Sequence, residues 1–163
     1  MANYYNGFSF SLINITDAEK QWLTTTNKVL TDLMMDGAAE QKDVESILCD
    51  YDIENIGSIP TVEFDKGGGH RAYIYSDESE GDVEIAAAWM AKFLELHRPH
   101  STGIPISYAC WCDKPRADAF SGGIALVVPG AYYFSCFDEV MDTLLARWET
   151  DKQEKAEAAM VTT

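Results

Sequence analysis

Apolar positions along this chain change period several times, and each change marks an element. Phe8, Phe10 and Leu12 alternate with Ser9, Ser11 and Ile13, which predicts a first strand apolar enough on both faces to be partly internal. Thr16-Asp17-Ala18-Glu19 then forms a capping box, in which each side chain satisfies a free backbone donor of the other. The helix it opens carries Trp22, Leu23, Val29, Leu30, Leu33 and Met34 and should end near Asp36-Gly37. A second helical stretch is expected over 38–51, with Val44, Ile47, Leu48 and Tyr51 on one face.

Residues 59–65 and 70–76 read as two strands joined by the glycine-rich turn Lys66-Gly67-Gly68-Gly69. An acidic loop, Asp77 to Asp82, leads into a helix with the stripe Ile85, Trp89, Phe93 and Leu96, closed by Pro99. Two more strands follow, 104–111 and 122–128, and 131–134 is a candidate for another. Phe137, Val140, Met141, Leu144, Leu145 and Trp148 then predict a last amphipathic helix. Residues 1–150 are expected to form one domain and 151–163 a frayed tail. The order β-α-α-β-β-α-β-β-α argues for an α+β fold, a mainly antiparallel sheet covered by about four helices. Its β-α-β-β-α-β core also permits a ferredoxin-like arrangement.

Charge changes this picture most. Of the net −15, −12 lies between Asp32 and Glu84, where fifteen carboxylates face only Lys42, Lys66 and Arg71. Residues 1–31 are neutral in sum and 85–163 carry −3. Such a field repels nucleic acid and anionic membranes and attracts basic protein surfaces or cations. The apolar content, 47%, separates the chain from a disordered acidic tail. No apolar run approaches the roughly 20 residues that span a bilayer, and no signal peptide is visible. A cytoplasmic protein with Cys49, Cys110, Cys112 and Cys136 reduced is the expectation.

No complete catalytic signature is present. Asp52, Glu54, Gly57, Ile59 and Glu63 fall at positions 1, 3, 6, 8 and 12 of a calcium loop. Ile56 at position 5, Pro60 at position 9 and the glycine run where an exiting helix should form all weaken that reading. Cys110-Trp111-Cys112, with His97, His100 and Cys136, has one residue between cysteines where zinc sites prefer two to four. Buried small hydrophobes are the commoner use of such thiols. Pairing Cys110 or Cys112 with His97 or His100 would make a thiol enzyme, but nothing in the spacing ties them together. Gly67-Gly68-Gly69 and Gly122-Gly123 lack the partners of a phosphate loop and read as turns. Arg98, Lys114 and Arg116 read as solubilising charge on a surface loop.

Phe93-Leu94-Glu95-Leu96-His97-Arg98-Pro99, Cys110-Trp111-Cys112-Asp113-Lys114-Pro115-Arg116 and Phe120-Ser121-Gly122-Gly123 together carry a resemblance. This run is similar to a family of small uncharacterised proteins of bacteria, phages and plasmids. Members show an Arg-Pro helix end, a strand into Cys-x-Lys-Pro-Arg, then Phe and a glycine run. Asp113 and Ser121 depart from the pattern. The resemblance spans 85–135 and implies an accessory protein of mobile elements, with no catalytic residues.

The expected function is that of a non-enzymatic acidic protein without cofactor. It would occupy the basic surface of a nucleic-acid-binding host enzyme as an inhibitor or nucleic-acid mimic, without binding nucleic acid or membrane itself. Its expected contact residues are Asp36, Glu40, Asp43, Glu45, Asp50, Asp52, Glu54, Asp77, Glu78 and Glu80. A metal-dependent module, built on the loop 52–63 or on the Cys/His positions, or a small enzyme of unknown reaction, is the alternative.

Overall fold

A computed structural model describes residues 4–36, 44, 46–49, 58–66, 70–76, 81–112, 121–143, 145–148 and 150. The strands are β1 (Tyr4–Ile13), β2 (Thr61–Phe64), β3 (Arg71–Tyr75), β4 (Ile104–Cys112), β5 (Ser121–Val128) and β6 (Ala131–Cys136). The helices are α1 (Asp17–Asp36), α2 (Val83–His97) and a C-terminal helix beginning at residue 137. The six strands form one antiparallel sheet in the order β2-β3-β1-β4-β5-β6. This is the expected α+β fold. Its first four strands and two helices have the split β-α-β arrangement, with β3 and β1 between β2 and β4. The β5–β6 hairpin extends that core beyond β4.

The capping box forms as read. Thr16 N–H donates to Glu19 Oε2 at 2.6 Å, and Glu19 N–H donates to Thr16 Oγ1 at 3.2 Å. At α2, Asp82 Oδ1 accepts from the N–H groups of Glu84 and Ile85. Strand alternation sends Phe8, Leu12, Ala72, Ile74, Ile106, Ala125 and Val127 toward the helices, where all are buried. Helix α2 is the centre of the core: every residue from Ile85 to Ala91 is buried, together with Phe93 and Leu94. It packs over β1, β5 and β6, and α1 lies against β2. Trp89 Nε1 donates to Thr26 Oγ1 at 2.9 Å, and its ring stacks on Trp22 at 6.1 Å. That bond satisfies a polar atom that would otherwise be stranded in the core.

Leu96, expected in the buried stripe of α2, is 52% exposed. It lies in the last turn of α2, where His97 rather than Leu96 packs against Trp22 of α1. Val44 is helical and buried, but residues 46–49 form a turn and bend, so the helix expected over 38–51 does not run through them; Ile47 and Leu48 are buried all the same, and Cys49 N–H donates to Ala88 O. The rest of the 38–51 stretch except Ser46, and the tail 151–163, lie outside the described residues. Gly122 and Gly123 are not turn residues. They sit inside β5, where a Cβ on Gly123 would come within 2.1 Å of Ser135 O and one on Gly122 within 2.8 Å of the Phe137 ring.

Arg98 is a structural residue rather than loose surface charge. Its Nε donates to Glu19 Oε1 at 2.6 Å, and a guanidinium nitrogen donates to Ile13 O at 3.1 Å and Asn14 O at 3.4 Å. Asn14 has φ 54°, so this contact fixes the tight bend between β1 and α1.

Candidate interaction surface

Among the described residues, one face of the sheet carries no helix layer. Register and alternation place Gly7, Ser9, Ser11 and Ile13 of β1, Glu63 of β2, and Arg71, Tyr73 and Tyr75 of β3 on this open face. From the other half come Ser107, Ala109 and Trp111 of β4, Ile124 and Leu126 of β5, and Tyr133 of β6. Small residues at the centre leave a shallow groove of about 670 Å3, with Gly7, Ser9, Ser107 and Ala109 as floor and Tyr75, Trp111 and Phe137 as walls. Trp111 leans over Gly7, where a Cβ would lie 2.8 Å from its ring. A second depression, about 450 Å3, adjoins it between Ser9, Ser11, Glu63, Tyr73 and Tyr75.

The two ends of this face differ in chemistry. The acidic segment 32–84 runs from the end of α1 through β2 and β3 to the start of α2, so it includes one edge of the sheet, while its last acids, Asp82 and Glu84, line a cavity with Tyr108 and Phe134 of the other half. At the β2–β3 edge Glu63 accepts from the Tyr75 hydroxyl at 3.1 Å, and the Arg71 guanidinium lies over the Tyr73 ring. The other end is apolar. Of the large hydrophobic side chains that are exposed, Ile124, Leu126, Tyr133, Phe134, Phe137, Met141, Leu145 and Trp148 all come from β5, β6 and the C-terminal helix.

Of the expected contact residues, Asp36 is the last residue of α1. Glu40, Asp43, Glu45, Asp50, Asp52, Glu54, Asp77, Glu78 and Glu80 lie outside the described residues. Among the other acids of the segment, Asp32 pairs with Lys28 on α1, and Asp82 is held as the cap of α2. The isolated bridge Ser58–Gly81 joins the chain just before β2 to the chain just before α2. Glu63, the last position of the calcium-loop pattern, is a strand residue, and the chain continues in β2 rather than in an exiting helix.

The thiols and imidazoles do not converge. Cys110 lines a cavity of about 280 Å3 beside the start of α2, with Phe8, Asp82, Glu84, Tyr108 and Phe134. His97 ends the same helix, so about 20 Å of helix rise separates it from that cavity. Its ring packs against Trp22 and Phe93 at 5.5 and 5.3 Å, and its Nε2 is buried without a hydrogen-bond partner among the described residues. Burial pushes the Tyr108 hydroxyl above its ordinary pKa, and the neighbouring Cys110, Cys136 and Glu139 add to the effect. Cys110 and Cys136 sit on strands two apart, about 9.6 Å, too far for a disulfide. Among the described residues no group of three or more His, Cys, Asp or Glu could hold a metal ion. None of the described helices is long and apolar enough to cross a membrane.

The apolar end could not be read from sequence as exposed surface. The period of the last helix announces an apolar stripe but not what covers it. No protein-family model, curated protein or solved structure matches the chain.

Proposed function

We propose that this chain is a non-enzymatic interaction protein whose acidic third engages a basic, nucleic-acid-binding protein surface. It would act there as an inhibitor or mimic of nucleic acid. One observation carries the reading: −12 of the net −15 is confined to residues 32–84, the stretch that supplies the β2–β3 edge and its connections. A charge this concentrated steers a basic partner toward one end of the molecule and lets binding release counterions from both surfaces. The resemblance to small proteins of mobile elements fits an accessory role against a host enzyme.

A tagged full-length chain incubated with host lysate and eluted along a salt gradient tests this. The expected result is a basic nucleic-acid-binding protein held at low salt and released as salt rises. Reversing Asp43, Glu45 and Asp50 to Lys should abolish its capture while the thermal melt stays unchanged. If the reversed variant captures the same protein equally well, the acidic segment is not the contact surface. If no basic protein is retained, the charge serves solubility alone.

A further inference from the structure

We infer that the apolar end of the molecule, β5, β6 and the C-terminal helix, is the docking surface for a second copy of this chain. Phe137, Met141, Leu145 and Trp148 recur at i, i+4, i+8 and i+11, so they share one helical face. They are 50%, 56%, 51% and 58% exposed. Asp138, Glu139, Asp142 and Arg147 occupy the other sides, so the helix is amphipathic and turns its apolar face to water. A helix this short is marginal in water on its own and ordinarily owes its stability to a packed apolar face.

The sheet beside it has the same character. Leu126 and Tyr133 are cross-strand partners on the open face, 44% and 63% exposed, and Ile124 is 36% exposed. Phe137 lies over Gly122 of β5, so helix stripe and sheet patch meet without a break. Together these seven side chains leave on the order of 700 Å2 accessible per chain, taking about 200 Å2 for a large side chain. That exceeds the patch of a typical monomer. Two such patches would bury on the order of 1,400 Å2, the size of a stable dimer interface.

Charge opposes self-association and so bears on which ends can meet. Two chains of net −15 repel each other. Sheet order puts β2 and β6 five strand spacings apart, about 24 Å. Copies that meet at their β6 ends therefore hold their β2 strands, which carry Glu63, about 50 Å apart, several Debye lengths at physiological salt. A two-fold arrangement satisfies both patches at once, the C-terminal helix of each copy lying on the open β5–β6 face of the other. The β2 edges then point outward, so this dimer does not depend on the acidic segment being a contact surface.

Sedimentation of the full chain over a range of concentrations and salts is the test. The expected species at micromolar concentration has twice the 18.1 kDa chain mass, and its dissociation constant falls as salt rises. Binding of a basic partner has the opposite salt dependence, so the two readings fail separately. Met141→Asp with Leu145→Asp on the helix, and Leu126→Asp with Tyr133→Asp on the sheet, should each raise the dissociation constant at least a hundredfold. All four positions are exposed, and unchanged circular dichroism and melting of monomer would verify the fold. Asp142→Asn, on the polar side of the helix, should leave the dimer intact. A monomer at 100 µM overturns the inference. So does a dimer that survives the helix variant, and one that the helix variant dissolves but the sheet variant leaves intact refutes the helix-on-sheet docking.

Discussion

Replacing Arg98 by Ala removes the link that ties the end of α2 to the β1–α1 bend. Arg98 makes a 2.6 Å ion pair with Glu19 and two hydrogen bonds to carbonyl oxygens. The Glu19 side chain is 7% exposed and that of Arg98 27%. Breaking a fully buried pair costs about 3–5 kcal/mol. Because water reaches the guanidinium, the expected loss here is about 2 kcal/mol. For a chain of this size that lowers the melting temperature by about 4–8 °C. Burial opposes ionisation of Glu19, but the hydrogen bonds from Arg98 and Thr16 and the Arg98 charge outweigh it and hold the carboxyl below its ordinary value of 4.5. A lowered carboxyl pKa stabilises the fold above the unfolded value and stops doing so as pH falls through the folded one. The gap between wild type and Arg98→Ala should therefore be full at pH 7 and shrink below about pH 4. Urea melts of wild type, Arg98→Ala, Glu19→Gln and the double variant at pH 7 and pH 3 measure it, with a coupling energy of about 1–2 kcal/mol expected at pH 7. A loss under 0.5 kcal/mol at pH 7, or a gap unchanged at pH 3, would refute the reasoning.

Two further substitutions probe the packing that positions the open face. Gly123→Ala places a methyl against Ser135 O and the Tyr108 hydroxyl, so β6 must shift, with an expected loss of about 1–3 kcal/mol in chemical denaturation. An unchanged midpoint would show that β5 and β6 are not so closely apposed. Trp89→Phe deletes the donor to Thr26 inside the core and should cost about 1–3 kcal/mol. Thr26→Val should then cost less in this background than in wild type, because only the bond its hydroxyl donates to Trp22 O remains to be lost; strict additivity would count against the Trp89–Thr26 bond.

Local signals reported local structure well. The capping box, the glutamate it needs and the helix it opens all stand where Thr16 and Glu19 put them, because both partners lie within four residues. The alternation of Phe8, Phe10 and Leu12 with Ser9, Ser11 and Ile13 located β1, and in the fold Phe8 and Leu12 are buried while Ile13 is exposed. What period cannot carry is the identity of the neighbour. Leu96 continues the stripe of α2 yet reaches water, since burial depends on where the opposing surface ends. Arg98 resembled any surface cation because Glu19 is 79 residues away. Gly122-Gly123 resembled a turn because close approach by Phe137 and Tyr108 leaves no mark on the glycines themselves. At the candidate surface, charge counts located the acidic third along the chain, and only strand order placed β2 and β3 at the edge opposite β6.

That placement also bears on how the sheet treats its two edges. An open edge strand invites pairing with other chains, and proteins blunt it by shortening it or charging it. At one end β2 is four residues long, carries Glu63 and is flanked by the most acidic stretch of the chain. At the other end β6 is six residues, Ala131 to Cys136, without a charge, a proline or a glycine. An edge left that way in a free monomer is an aggregation hazard. The split β-α-β core alone would have ended at β4. The β5–β6 hairpin covers that edge and, with the helix that follows directly from β6, moves the apolar boundary as far from the acidic edge as the sheet allows. One extension of the sheet thus separates the β2 edge from the exposed apolar residues of β5, β6 and the C-terminal helix.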